Sequence, residues 1–312
     1  MKILLERSDV NPNTAGHSGQ TPLFVAAMQG YNAVVQSLLE RDDIKPDTTN
    51  TNNQTPLFIA AYAGHAGAVK MLLERSDINP NAKADYDRTP LGVAARHKWE
   101  EGVKKLLEHN DINPDLADKC GRTPLFQAAC RGHDRIVKML LERADVNPHT
   151  ADNSGRTPLS GAAKYGAEGV VKMLLEQSCI NPNTQDHQGR TPLLEAAAGG
   201  YEGVLKMLVQ RGDINPDIAL ECGNTPLSEA ARKGHEGVVK LLLRRMELNS
   251  DMADNARATA LSQALENRHH SIVKLLSKRK NQIPQSDGGK STVLPPEPSN
   301  PDGHLSKRVR RS

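Results

Sequence analysis

The tripeptide Thr-Pro-Leu returns every 34 residues without a slip, at Thr21, Thr55, Thr89, Thr123, Thr157, Thr191 and Thr225, and once more as Thr-Ala-Leu at Thr259. A fixed period of this length marks a stacked-repeat solenoid, because each unit is too small to bury its own apolar face and does so only against its neighbours. The unbroken register favours one elongated array plus a tail over the two domains that 312 residues would ordinarily suggest. Such an array presents a long surface, so binding is the expected function.

Composition agrees with that reading. Hydrophobic residues make up 37% of the chain but aromatics only 3%, so the core has to be built from Leu, Val, Ile and Ala. Small alanines suit closely approaching helices, whereas a conventional globular core uses more Phe and Trp.

The stretch from Gly121 to Asn147 shows the local logic. Thr123 caps a helix through its hydroxyl, and Pro124 at the first helical position loses nothing by lacking an N–H. Leu125, Ala128 and Ala129 share one helix face, and Gly132 suits the left-handed stop. Ile136, Val137, Met139, Leu140 and Leu141 give a second helix its apolar side. Asp145-Val146-Asn147-Pro148 ends it, since proline cannot continue a helix, and Asp152-Asn153-Ser154-Gly155 turns into the next unit.

This anatomy resembles the ankyrin repeat: a turn, an inner helix opened by T-P-L, a Gly-His loop and a longer outer helix. The resemblance covers about residues 1–280. It implies an all-α ankyrin-repeat solenoid of stacked helix pairs with short β-hairpin-type turns. The period is one residue longer than the commonest ankyrin unit, and the segment Asp77 to Asn81 is the expected home of the extra residue. That variant is similar to ankyrin arrays of filamentous fungi, often attached to nucleotide-binding immune-type receptors.

The family usually reads T-P-L-H, its histidine tying neighbouring repeats together. Here the site holds Phe24, Phe58, Gly92, Phe126, Ser160, Leu194 and Ser228, so that polar tether is expected to be absent. Asn53, Asp87 and Arg257 replace turn glycines, and Lys98 and Arg268 replace loop glycines. Lys2 aligns with Lys70, Lys104 and Lys138, so residues 1–14 are expected to be an incomplete repeat, an outer helix without its inner partner. Residues 15–280 then hold eight repeats, with Ala260, Ser277, Lys278 and Arg279 making a polar cap, and 281–312 form a disordered Pro/Ser-rich tail with a basic end.

The net charge of +3 is uneven: Ser277 to Ser312 carries eight Lys or Arg against three Asp or Glu, which leaves the body nearly neutral. A balanced body gives no general reason to expect nucleic acid. The cysteines Cys120, Cys130, Cys179 and Cys222 form no CxxC pair. Cys120 and Cys222, three repeats apart, are ~30 Å from each other at roughly 10 Å per helix layer, well beyond the about 7 Å a disulfide allows. Free thiols fit a reducing intracellular compartment. No apolar run approaches the ~20 residues of a membrane span, and Met1-Lys2-Ile3 does not read as a secretory leader. The cytoplasm is expected ahead of the nucleus, with Lys307 to Arg311 as a candidate import signal.

No catalytic constellation is present. His65, His133 and His235 share one loop position a layer or more apart, His269 and His270 do not converge on a helix, and no phosphate loop occurs. The expectation is a non-enzyme with no cofactor and no metal.

The family resemblance implies a concave face made of turn tips and inner helices. By register that face carries Arg88, Arg122, Arg156 and Arg190, with Arg96, Arg131, Lys164, Arg232 and Lys233 at inner-helix ends. Asp118, Asp152 and Asp186 stand four residues before three of those arginines, ready to neutralise them. Tyr62, Tyr86, Trp99 and Tyr165 add aromatic anchors of the kind found at binding hot spots. The candidate partner-binding residues are therefore Tyr62, Tyr86, Arg88, Arg96, Trp99, Arg122, Arg131, Arg156, Lys164 and Tyr165, and the partner is expected to be a protein of acidic character bound by a monomeric array. For Trp99 the alternative is a covering role over a loop that lost its glycine. The wider alternatives are a regulatory C-terminal part of a larger receptor or enzyme, and nucleic-acid binding through the Arg row. The outer-helix pairs Lys70/Glu74, Lys104/Glu108, Lys138/Glu142 and Lys172/Glu176 read as a solvated face.

Overall fold

The computed structural model describes residues 10–246 and 253–278, within which the chain forms eight helix pairs. The inner helices are α1 (Pro22–Gln29), α3 (Pro56–Ala63), α5 (Pro90–Arg96), α7 (Pro124–Ala129), α9 (Pro158–Lys164), α11 (Pro192–Gly199), α13 (Pro226–Lys233) and α15 (Ala253–Glu266). The outer helices are α2 (Asn32–Leu39), α4 (Ala66–Leu73), α6 (Glu100–Leu107), α8 (Asp134–Leu141), α10 (Glu168–Leu175), α12 (Glu202–Gln210), α14 (Glu236–Met246) and α16 (His270–Lys278). Each inner helix packs on the next inner helix, and each outer helix on the next outer one. The result is an all-α solenoid with no strand among the described residues. The expected hairpin-type turns are each closed by one backbone bond, such as Asp152 N–H to the Arg156 carbonyl at 2.9 Å. Neighbouring tips are tied in turn, as by Asn153 N–H to the Cys120 carbonyl at 2.9 Å.

The threonine register fixes where each inner helix begins. From Thr21 to Thr225 every hydroxyl accepts the N–H three residues on, at 3.1–3.3 Å, while proline fills the first helical position. The leucine after each Thr-Pro and the paired alanines that follow make a buried ladder through the array, with Phe24, Phe58 and Phe126 also in the interior. Burying one such leucine is worth about 1.5–3 kcal/mol. Ile44, Ile78, Ile112, Val146, Ile180 and Ile214, one per connecting segment, close the core behind the outer helices.

The missing T-P-L-H tether is replaced from elsewhere. His65 Nε2 meets the Met28 carbonyl at 3.0 Å, His133 the Arg96 carbonyl at 3.2 Å, His235 the Ala198 carbonyl at 3.1 Å and His269 the Arg232 carbonyl at 3.0 Å. A carbonyl only accepts, so each ring carries its proton on Nε2. Gly200 shows how room is made: its φ is 74°, and a Cβ there would collide with the His235 ring. Arg75, Arg143 and Arg211 add a second tether, donating to the Leu39, Leu107 and Leu175 carbonyls of the preceding repeat at 2.7–2.9 Å. The T-P-L-H tether is thus absent as expected from the sequence, and polar ties between repeats come instead from the loop histidine and from the arginine after the outer helix.

The last repeat also departs from expectation. Residues 253–266 form one helix that runs straight through Arg257 and Thr259, so there is no turn at Arg257. Ala260 keeps the N–H that proline lacks, and Arg257 supplies no glycine to turn on. The loop exceptions at Lys98 and Arg268 do adopt left-handed φ, 61° and 59°, as do Asn53 and Asp87. Residues 1–9, Arg279 and the tail with its basic end lie outside the described residues.

A third ladder runs along the connecting segments. Asn13, Asn81 and Asn183 each accept an N–H of the next repeat through Oδ1 and donate through Nδ2 to the carbonyls of Asp43, Asp111 and Asp213, all at 2.7–2.9 Å. Asp47 and Asp115 occupy the same register and accept the N–H of Asn79 and Asn147 at 2.7 Å. Their Oδ1 atoms are buried with no partner, at the place where asparagine presents its amide nitrogen. Burial, opposed by the backbone N–H and reinforced by Asp77 or Asp145, holds both carboxyls above the usual Asp range.

Two outcomes are expected. Asp47→Asn and Asp115→Asn should each stabilise the array by about 1 kcal/mol at neutral pH, measured by urea unfolding. Folding raises these pKa values, so the penalty is absent below about pH 4 and grows as pH rises through the raised values; the asparagine gain should vanish in acid. Thr123→Ala should cost about 1 kcal/mol by loss of the cap, with Thr123→Ser largely restoring it; equal stability of all three forms contradicts the capping role.

Candidate partner-binding groove

The inner-helix face of repeats two to five carries two adjoining depressions that share Arg96 and Arg122. One, of about 320 Å³, lies among Tyr62, Tyr86, Arg88, His97 and Lys119. The other, of about 480 Å³, lies among Phe126, Cys130, Arg131, Arg156, Gly161, Lys164 and Tyr165. Nine of the ten residues singled out in the sequence line these depressions. Trp99 does not. It precedes α6, packs on the core, and covers Gly102 so closely that a Cβ there would strike its ring.

The register explains each wall. Tyr62, Arg96, Cys130 and Lys164 stand at equivalent positions at the C-terminal ends of α3, α5, α7 and α9, Cys130 just past the last residue of α7, with Arg131 and Tyr165 one residue later. Arg88, Arg122 and Arg156 come from the turn before each T-P-L. The turn carboxylates fold three arginines of the row back onto the framework. Asp118 accepts the N–H of Cys120 and Arg122 through Oδ1 and the Arg122 guanidinium through Oδ2, at 2.8–3.0 Å. Asp152 does the same for Arg156, and Asp186 for Arg190. Burial pushes Asp152 up, but Arg156 and two backbone N–H groups outweigh it, and the carboxyl sits below its usual range.

Arg88 has no such partner because Ala84 stands in the place of the aspartate. It donates to the Asp85 carbonyl at 3.1 Å and lies over the Phe58 and Tyr86 rings, 5.7 and 5.9 Å from their centres. Arg96 and Arg131 make no ion pair among the described residues. Burial first, then Arg131, Arg122 and Arg88, lower the pKa of Arg96 against the pull of Asp118. Burial first, then Arg96, Arg131 and Arg88, depress His97, whose ring meets Tyr62 edge-on at 5.2 Å. The strip is therefore positively charged, with Tyr62, Tyr86 and Tyr165 exposed along it at 48%, 70% and 58%.

The floor was not foreseen from the sequence. Positions 127, 161, 195 and 229 are equivalent and hold Gln127, Gly161, Glu195 and Glu229, all buried. Glu195 draws in Arg190 at 3.3 Å and Lys164 at 3.7 Å, and Glu229 pairs with Arg232 at 2.6 Å. Gly161 supplies no side chain and Cys130 packs directly against it, its Sγ 2.5 Å from where a Cβ would stand, and both line the larger depression. Burial pushes the Cys130 thiol up to about 11, so it is neutral. Reading that one register column down the repeats would have found the gap. Among the described residues no group of three His, Cys, Asp or Glu side chains is placed to hold a metal ion, and no helix is long and apolar enough to cross a membrane.

Comparison with known proteins accounts for the architecture. A family model described as ankyrin repeats (3 copies) matches residues 1–84, 79–152, 144–219 and 212–287. The ankyrin repeat domain of Bcl-3, a member of the IkappaB protein family, superposes with a TM-score of 0.63 at 26% identity, over 73% of this chain and 100% of that one. The human ASB11 ankyrin repeat domain gives 0.62 at 28% identity, over 72% and 98%. A search of curated proteins found no match. With its helix pairs, threonine caps and matches along nearly its whole length, the chain belongs to the ankyrin-repeat family, whose arrays are protein–protein interaction modules.

Proposed function

We propose that the protein is a monomeric interaction module that takes an acidic segment of a protein partner along the concave side of repeats two to five. The observation that carries this reading is the coincidence of exposed Tyr62, Tyr86 and Tyr165 with Arg88, Arg96 and Arg131, none of which has a carboxylate partner among the described residues. A cationic groove raises the association rate of acidic partners and rejects basic ones. Tyrosines supply large contact area on few rotatable bonds. The groove is held by helices and tied turns, so little ordering entropy is lost on binding.

The Arg row favours protein over nucleic acid as the ligand. Arg122, Arg156 and Arg190 are each tied to a buried aspartate, and a rail for a phosphate backbone needs consecutive free cations. Trp99 is set apart from this surface by its packing, and it is given a covering role. Repeats six and seven lie outside the groove, since Glu195 there pairs with Arg190 and Glu229 with Arg232.

Tyr86 has a φ of 62°, which asparagine tolerates, so Tyr86→Asn with Arg88→Gln removes an anchor and a charge without straining the turn. Affinity for glutamate-rich peptides is expected to fall about tenfold with the melting temperature unchanged. Lys172→Gln with Glu176→Gln on the outer helices should leave it unaltered. Equal losses in both variants, or none in the first, would contradict the assignment.

A further inference from the structure

We infer that the depression walled by Arg96, Arg131, Arg156 and Lys164 is a phosphate pocket, and that the acidic partner segment seats a phosphorylated side chain in it. This rests on the acidic-segment reading above and deepens it. The array itself shows what its inner-helix cations bind. In repeat six Glu195 brings a carboxylate to Lys164 and Arg190, and in repeat seven Glu229 brings one to Arg232. At the same position repeat three has Val93, repeat four Gln127 and repeat five Gly161, so no carboxylate from this column pairs with Arg96, and Arg131, one residue beyond the Arg96 position, has no ion pair among the described residues. An external anion completes the pattern.

The neighbouring acids do not fill the role. Both oxygens of Asp118 are engaged, by the Cys120 and Arg122 N–H groups and by the Arg122 guanidinium and Gln127 amide. Asp152 is engaged in the same way by Ser154 and Arg156. The pocket floor is Phe126, the neutral Cys130 thiol and the bare Gly161 backbone, none of which competes for the cations. Two unpaired guanidiniums call for two negative charges. A carboxylate brings one, whereas a phosphomonoester brings nearly two and three strong acceptor oxygens that match the guanidinium fork. The opening of about 480 Å³ also has room for such a group together with the side chain that bears it.

The test uses the full chain and short fluorescent glutamate-rich peptides whose central residue is phosphoserine, serine or glutamate, read by anisotropy. The phosphoserine peptide is expected to bind at least about tenfold tighter than the other two. That preference should disappear in Gly161→Glu with Cys130→Ala, the second change clearing the Sγ that would lie 2.5 Å from the new Cβ, which together place in the pocket the carboxylate that repeats six and seven already own. It should also disappear in Arg96→Gln with Arg131→Gln, a variant whose melting temperature should be unchanged or raised because like charges are removed. Equal affinity for the phosphoserine and glutamate peptides, sensitive to Tyr86→Asn with Arg88→Gln, overturns the phosphate pocket and leaves the acidic-segment reading standing. Failure of all three peptides to bind overturns both. Inorganic phosphate binding as tightly as the phosphoserine peptide, or a single-stranded oligonucleotide displacing it with a steep salt dependence, overturns the assignment to a protein side chain.

Discussion

Everything in this molecule depends on one repeat burying its leucine and alanine face against the next. Leu125, Ala128 and Ala129 are wholly shielded, and so are their counterparts two layers away in either direction. Since no unit has a core of its own, its contacts are shared with its neighbours, and stability adds up along the array as units plus interfaces. The polar ladders then set register. A hydrophobic face tolerates sliding, but a histidine Nε2 that must find one carbonyl, or an asparagine that must meet an N–H and a carbonyl together, does not.

That division of labour determines where variation is allowed. The core ladder and caps admit little change, while the half-buried column along the inner helices reads Met28, Tyr62, Arg96, Cys130, Lys164, Ala198 and Arg232 with no common chemistry. The backbone presents the same geometry in each repeat, so a local difference in side chain becomes a local difference in surface. The groove of repeats two to five owes its shape in part to Gly161, where repeats four, six and seven carry Gln127, Glu195 and Glu229, and its charge in part to Ala84, which leaves Arg88 without the aspartate that Arg122, Arg156 and Arg190 have.

The repeat period, the helix pairs and the caps were legible because each rests on contacts within a single unit, or on an apolar pattern that the neighbouring unit completes. Most of the groove residues were legible for the same reason: register alone puts Arg88, Arg122 and Arg156 on one edge and Arg96 and Lys164 on one face. Three features were not. The tethers from His65, His133 and Arg75 join residues 36 or 37 apart, and nothing local signals their partners. The long helix from Ala253 follows from losing a proline and a turn glycine together, a combined effect that aligning by period conceals. The pocket follows from what Gly161 lacks, and a missing side chain leaves no motif. Trp99 reads as an anchor by composition, and in the structure its half-buried ring packs on Gly102 and the core and does not line the groove.

The most direct check of the account is a crystal structure grown with millimolar tungstate, whose anomalous scattering locates a tetrahedral dianion without ambiguity. The account predicts a peak between Arg96 and Arg131 above Gly161, and none against Arg190 or Arg232, where Glu195 and Glu229 already hold the cations. Peaks at repeats six and seven with an empty site at repeats three to five would contradict it.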